Sequence, residues 1–256
     1  MNDDFYIGWE KKAAPATART VHKAVIVLLA MALVVPVVLA ISQRMIGRSV
    51  FEWGTLKTVS GILQTRPYPH LLVPRPGDVE GQAKFSTYYL VAPWKFGLNS
   101  EAIASLDGKS VSVKGTLIYR ENQTMIETKP KWISAFTNSR PLASSDAPYQ
   151  DLGRQTFVGE IVDSKCFLGV MNPGQLAPHR ACAIRCISGG APPILLVRQK
   201  DGPAIYLLLV SADGQTVNKQ VLDMVAEPVE ITGEVERQGE MLILRSDPAT
   251  YRRVRQ

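Results

Sequence analysis

Between residues 24 and 41 the chain reads AVIVLLAMALVVPVVLAI, eighteen consecutive positions without a charge or a polar side chain. With its flanks the run reaches the length of a membrane-spanning helix, and 24–43 is predicted as one. Pro36 would bend it, which a membrane helix tolerates better than a soluble one. Two rival readings are a buried core helix and a cleaved signal peptide, for which the VLA ending at Ala40 supplies small residues. The segment ahead of the run is long and holds Asp3, Asp4 and Glu10, unlike a short basic leader. An uncleaved anchor is therefore expected.

Beyond residue 50 the apolar positions fall into short stretches, many alternating with polar ones as half-buried strands require. These stretches recur. YYLVAP around Tyr89 parallels IYLLLVS around Tyr206, a shift of 117, and Met125 and Met241 are 116 apart. VSVKGTLIY parallels VEITGEVER, with Gly115 and Gly233 118 apart. Upstream, VSGIL parallels FVGEI, yet Gly61 and Gly159 are only 98 apart. The second copy thus carries roughly twenty extra residues between its first and third strands, the sign of a loop grafted onto a repeated scaffold.

Each copy reads β-β-β-α-β-β. In the second, TFVGEIVD, PPILLVRQ and AIYLLLVS are strands, Asp201-Gly202 a turn, NKQVLDMVA a helix and VEITGEVERQGEMLILR a hairpin. In the first, EAIASL takes the helix slot and KSVSVKGTLIYRENQTMIET closes the sheet. A short helix between strands three and four of a five-stranded barrel is the OB-fold order, with a plain antiparallel sandwich as competitor. The expected architecture is all-β with short helices: OB-like domains at 50–136 and 155–250 and a Ser/Pro/Asp-rich linker at 137–154. The second domain carries a Cys/His insertion at 164–192.

Charge changes this picture only at the ends. Of the formal +6, residues 1–48 contribute +3 and residues 245–256 another +3, so the body is neutral. A nucleic-acid groove needs its basic residues on the folded domain, and that partner class is excluded. Four Lys/Arg precede the apolar run and two follow it closely, which predicts residues 1–23 in the cytoplasm and the remainder outside. In a bacterium this is a single-pass inner-membrane protein with periplasmic domains, where disulfides persist.

The chemistry concentrates in the insertion. PHRACAIRCISGG places His179, Cys182 and Cys186 within eight residues, and the third and last cysteine of the chain, Cys166, lies upstream in GEIVDSKCFLGV. Pro178 suits a helix start and Gly189 its end. On such a helix His179, Cys182 and Cys186 fall within about 60° of one another on one face. Three thiolates and an imidazole suit zinc or another soft-ligand transition metal. The alternative is a disulfide from Cys166 to Cys182 or Cys186, contributing ~3 kcal/mol and leaving a bystander thiol. A working redox thiol is a third reading, with Lys165 and Arg185 each placed beside a cysteine to stabilise a thiolate.

The insertion resembles a recurrent pattern in uncharacterised exported bacterial proteins: D-x2-C, then H-x2-C-x3-C, then G-x-P, followed by OB-like strands. The resemblance covers about forty residues and implies that Cys166, His179, Cys182 and Cys186 act as a unit with Asp163 as a further member. It implies no particular activity. The plan of an N-terminal anchor and an external OB barrel is also similar to the haem chaperone of cytochrome c maturation. That family's His-x3-Tyr signature is missing here, so the similarity is one of architecture.

Other positions carry less. His70 in RPYPHLLVPRPG reads as an exposed loop histidine, His22 as interfacial, and Glu234 and Glu236 as one solvated strand face. The DFYIGW stretch, with Phe5, Tyr6 and Trp9, reads as an interfacial or docking cluster. No Ser-His-Asp order, phosphate loop or dinucleotide fingerprint occurs, and no catalytic residue is assigned. The function expected is a membrane-anchored periplasmic accessory protein that binds a metal or metal cofactor and supports a membrane redox or cofactor-assembly complex. A thiol-disulfide carrier and a purely structural, disulfide-stapled module are the alternatives.

Overall fold

The computed structural model describes residues 11–43, 49–75, 85–136, 149–200 and 202–254. The DFYIGW cluster, most of the linker and Asp201 lie outside the described residues. The chain divides into two compact units, 1–47 and 48–256. In the first, helix α1 (Pro15–Gln43) contains Pro36 and begins nine residues before the predicted start. From Ala24 to Ile41 its side chains are apolar all round and exposed. Length and composition make it apolar enough to cross a membrane.

The second unit is two closed five-stranded barrels in tandem. Strands β2 (Lys57–Gln64), β3 (His70–Pro74), β4 (Phe85–Val91), β5 (Ser110–Arg120) and β6 (Gln123–Ala135) form the first, with the short β1 (Ser49–Phe51) added to β5. The second comprises β7 (Tyr149–Asp163), β8 (Pro193–Val197), β9 (Ile205–Val210), β10 (Pro228–Gln238) and β11 (Met241–Arg245), with β12 (Arg252–Arg253) on β10. Each ring closes through a parallel pair, β4–β6 and β9–β11, and an antiparallel hairpin, β5–β6 and β10–β11. This is OB-like order, and the closure excludes the sandwich.

Equivalent side chains mark the repeat. Thr128 Oγ1 donates to the Lys114 carbonyl at 2.7 Å, and Ser246 Oγ donates to the Thr232 carbonyl at the same distance, 118 residues on. Gly115 and Gly233 lie beside these bonds, where a Cβ would collide with the backbone of Glu127 or Arg245 on the paired strand. The ladder corrects two of the sequence pairings. Tyr89 lies opposite Met125 and Leu208 opposite Ile243, so Tyr89 corresponds to Leu208 rather than Tyr206, and Met125 to Ile243 rather than Met241. A two-residue slip keeps every side chain on its own face, so a period-two pattern cannot reveal it.

Four other expectations change. The segment NKQVLDMVA makes only a 3₁₀ turn, Leu222–Met224, because Val225 bridges to Ile161 and Ala226 donates to the Ile161 carbonyl. Residues 149–154, assigned to the linker, are already strand and pair with the far half of β10. Past a bulge in β7 opposite Glu234/Glu236, the two glutamates differ: Glu236 is buried against Arg245 Nε at 2.5 Å while Glu234 stays exposed. His70 is buried at the start of β3, its Nδ1 2.9 Å from the Tyr68 carbonyl.

One apolar cluster runs through both barrels, joining Tyr89, Ile118 and Met125 of the first to Val162, Leu168, Ile194 and Ile243 of the second. Arg120 stacks over the Phe167 ring at 4.3 Å, Tyr206 donates to Glu121 at 2.9 Å, and Arg75 pairs with Glu240. The two barrels are expected to unfold together. Truncation of Leu168, wholly buried in this cluster, to Ala should lower stability by about 2–5 kcal/mol. Denaturant titration of the full chain in detergent should give one transition by both tryptophan fluorescence and near-ultraviolet circular dichroism; two separated transitions would refute the shared core.

Burial pushes the His70 imidazole below its ordinary value, with the Tyr68 carbonyl opposing. Its folded pKa is depressed, so the unfolded chain takes the proton first. Its contribution to stability is full above about pH 6.5 and declines as the pH falls. The His70→Gln chain should lose less stability than wild type between about pH 6.5 and 5, read from paired melting curves.

Candidate metal centre between the barrels

The insertion fills the connection from β7 to β8, residues 164–192, where the first barrel has only residues 65–69. Asp163 ends β7 fully buried, and its Oδ1 accepts the Cys166 N–H at 2.7 Å. That bond starts a wide helical turn, Cys166–Val170. The chain then folds back closely enough that Gly174 has no room for a Cβ against the Cys166 carbonyl. Glu160 receives the returning strand by accepting the Leu176 N–H, and Arg198 Nη2 neutralises it at 2.6 Å. A 3₁₀ turn, Ala177–His179, leads into α2 (Arg180–Ser188).

Helix α2 divides its faces by four-residue spacing. Ala183 and Ile187 enter the core of the second barrel, while Cys182 and Cys186 pack with Cys166 and Ala191. Gly189 terminates the helix and Gly190 follows at φ 101°. The Gly97 N–H of the first barrel donates to the Gly189 carbonyl at 2.9 Å. A Cβ on Gly97 would strike Gly190, and one on Gly189 would strike the Lys95 carbonyl. The glycine pair after the cysteines is thus the place where one barrel's backbone lies directly on the other's.

All three cysteines are unbridged. Cys166 Sγ lies 3.8 Å from Cys186 Sγ and 3.9 Å from Cys182 Sγ. A disulfide needs about 2.05 Å. Thiolates about 2.3 Å from a tetrahedral ion stand roughly 3.8 Å apart. The potential ligands form two overlapping groups, Cys166–His179–Cys182 and Asp163–Cys166–Cys186, with Cys166 common to both. Within each group the ligand atoms lie within 4.8 Å of one another. His179, buried, meets Asp163 Oδ2 through Nε2 at 2.9 Å, which leaves Nδ1 as a lone-pair donor when Nε2 carries the proton. A carboxylate behind a histidine is the usual support for a metal-ligating imidazole.

The residues flanking the cysteines lie elsewhere. Lys165, 1% exposed, turns away from the sulfurs to donate to the carbonyls of Ala92 at 2.8 Å and Trp94 at 2.6 Å, and it pairs with Glu127 at 2.5 Å. Arg185 points to solvent. The cation on the sulfurs is Lys95, whose Nζ is 2.8 Å from Cys182 Sγ. Sequence reasoning missed it because the contact crosses 87 positions and joins two domains, and nothing in PWKFG signals a ligand. The Cys166 thiol is pushed far above its ordinary value by donating to Cys186, by burial and by the facing Asp163 charge. Accepting that bond pulls Cys186 down, and the Lys95 charge helps. Lys95 is raised, chiefly by its bond to Cys182.

Compared with protein-family models, with curated proteins and with solved structures, the chain finds no match in any of the three.

Because Gly97 abuts Gly190, Gly97→Ala should separate the 95–97 turn from α2 and destabilise the chain by about 1–3 kcal/mol. Melting curves of Gly97→Ala against the unaltered chain read the collision directly, because Gly97 is not one of the left-handed glycines and backbone strain does not enter. A loss below about 0.5 kcal/mol would refute the close contact.

Proposed function

We propose that this protein is a membrane-anchored accessory protein whose Cys/His loop binds one soft-ligand transition metal ion, zinc being the simplest fit. The observation that carries the reading is the sulfur spacing of 3.8 and 3.9 Å around Cys166. It matches thiolates arranged about a common ion, and a buried carboxylate–histidine pair stands beside them. Cys166 and Cys182, with a nitrogen of His179, supply one ligand face. Cys186 and Asp163 supply groups that can complete or support it. Lys95 offsets the negative charge that several thiolates would concentrate in a half-buried site.

An N-terminal cytoplasmic segment, α1 in a bacterial inner membrane and both barrels in the periplasm form the setting of this reading. The partner is a membrane redox or cofactor-assembly complex, and the role is binding rather than turnover. A second reading draws on the Lys95–Cys182 contact, which sets an ammonium 2.8 Å from the sulfur of the least buried of the three cysteines. There Cys182 attacks a partner disulfide and releases one partner thiolate. Cys166 then resolves the mixed disulfide, leaving a Cys166–Cys182 bond and a fully reduced partner.

Elemental analysis of the full chain, purified in detergent without a metal-affinity step, should return about one equivalent of a single transition metal. Cys166→Ser should reduce this more than tenfold, since both ligand groups share that sulfur, and Asp163→Asn should weaken retention by about 10–100-fold. Metal below about a tenth of an equivalent, with one titratable thiol per chain, would overturn the metal reading in favour of the disulfide one.

A further inference from the structure

Where the first barrel meets the cysteine loop opens a groove of about 560 Å³ whose walls include four aromatic rings, Phe51, Trp53, Trp94 and Trp132, with Leu56 and Val170. Two of its indoles stand in water, Trp53 76% and Trp94 80% exposed, and Leu56 is exposed beside them. The arrangement is built. Trp94 sits at φ 63°, a conformation that a side chain of its size rarely adopts. Buried Lys165 grips the carbonyls of Ala92 and Trp94, while Glu127 neutralises it, so the turn is held with the indole outward. Phe51 meets Trp53 edge to face at 5.3 Å, and Lys129 lies over the Trp132 ring at 4.8 Å. Lys129 and Lys131 are exposed on the same strand, β6.

The covalent chain narrows the choice of occupant. Phe51 follows Gln43, the end of α1, by eight positions, and eight residues reach at most about 28 Å. Tryptophan combines an apolar ring with one N–H and concentrates at the boundary between acyl chains and headgroups. Exposed lysines beside it attract anionic headgroups. We propose that this groove docks on the phospholipid surface of the membrane, with Trp53 and Trp94 at the headgroup boundary and Lys129 and Lys131 facing lipid phosphates. The proposal rests on the reading of α1 as a membrane anchor. It also gives the turn at 92–97 two tasks, because Lys95 of that turn holds the Cys182 sulfur.

The test uses the full chain carrying Trp9→Phe, so that the remaining tryptophans are Trp53, Trp94 and Trp132. It is reconstituted in vesicles of phosphatidylcholine and phosphatidylglycerol with or without lipids brominated near the headgroup end of the acyl chain. Bromine quenches indoles at the boundary, and emission should fall by about half or more. Trp53→Ser with Trp94→Ser should remove most of the quenching; both side chains are exposed, so the fold should persist, as circular dichroism would verify. Vesicles without phosphatidylglycerol should quench less if the lysines contribute as stated. Alkaline carbonate extraction of the same vesicles reports on the anchor separately.

Quenching below about a tenth in carbonate-resistant protein overturns the groove proposal and leaves the anchor standing. Unquenched protein that carbonate strips off overturns both, whereas quenched but strippable protein supports the groove and overturns the anchor. Unquenched indoles that become protected as the chain dimerises would give the groove to a second copy and overturn the lipid assignment.

Discussion

Gly97 and the Gly189–Gly190 pair meet backbone to backbone, and the arrangement of the second unit turns on that contact. Any side chain there would hold the barrels apart by the thickness of a methyl group. With none, the C-terminus of α2 seats against the 95–97 turn, and the lysine of that turn reaches the Cys182 sulfur. Asn218 secures the same end of α2 from the second barrel by donating to the carbonyls of Ile187 and Ala191, and it accepts the Tyr68 hydroxyl of the first. The Gly189 carbonyl, at the terminus of α2, thus serves as an interdomain joint.

Lys165 works in the opposite direction from the same loop. A buried ammonium is tolerated only when its protons are all engaged, and here two carbonyls and Glu127 engage them. All three acceptors belong to the first barrel. The insertion of the second barrel is therefore pinned to the first by a cation on either side: Lys165 outward from the loop and Lys95 inward to it. Adjacent residues on a helical turn point about 100° apart, so Lys165 and Cys166 cannot serve one site, and the loop uses that divergence to hold two surfaces together.

The cysteine cluster belongs to the same frame. Its sulfurs come from the turn after β7 and from α2, and their spacing depends on how far α2 is drawn toward the first barrel. Ordering this loop and filling the centre would share one free energy, as in small metal domains generally. The shared apolar cluster beneath it, with Phe167 and Leu168 inserted between the barrels, makes that ordering common to both. A tandem repeat has in effect become one body, with the grafted loop as its wedge.

Sequence alone determined much of this plan. An uninterrupted apolar run can only be a span, a core helix or a leader, and period-two alternation with recurring glycines identified two barrels of one type. Spacing brought His179, Cys182 and Cys186 into one short segment, but His179 falls in the 3₁₀ turn before α2 and groups with Cys166 and Cys182 while Cys186 groups with Asp163. The unequal shifts gave the size of the insertion that carries them. Tertiary structure decided what local pattern leaves degenerate. The two-residue offset between Tyr89 and Tyr206 keeps every face unchanged, and Glu236 is buried with Arg245 against it, a pairing that alternation does not encode. Lys95, Trp94 and the glycine contact acquire their roles only when the barrels close on each other. Those contacts are long in sequence and short in space, and the physics that selects them, backbone fit without a Cβ and the solvation of a buried ammonium, acts on the folded pair.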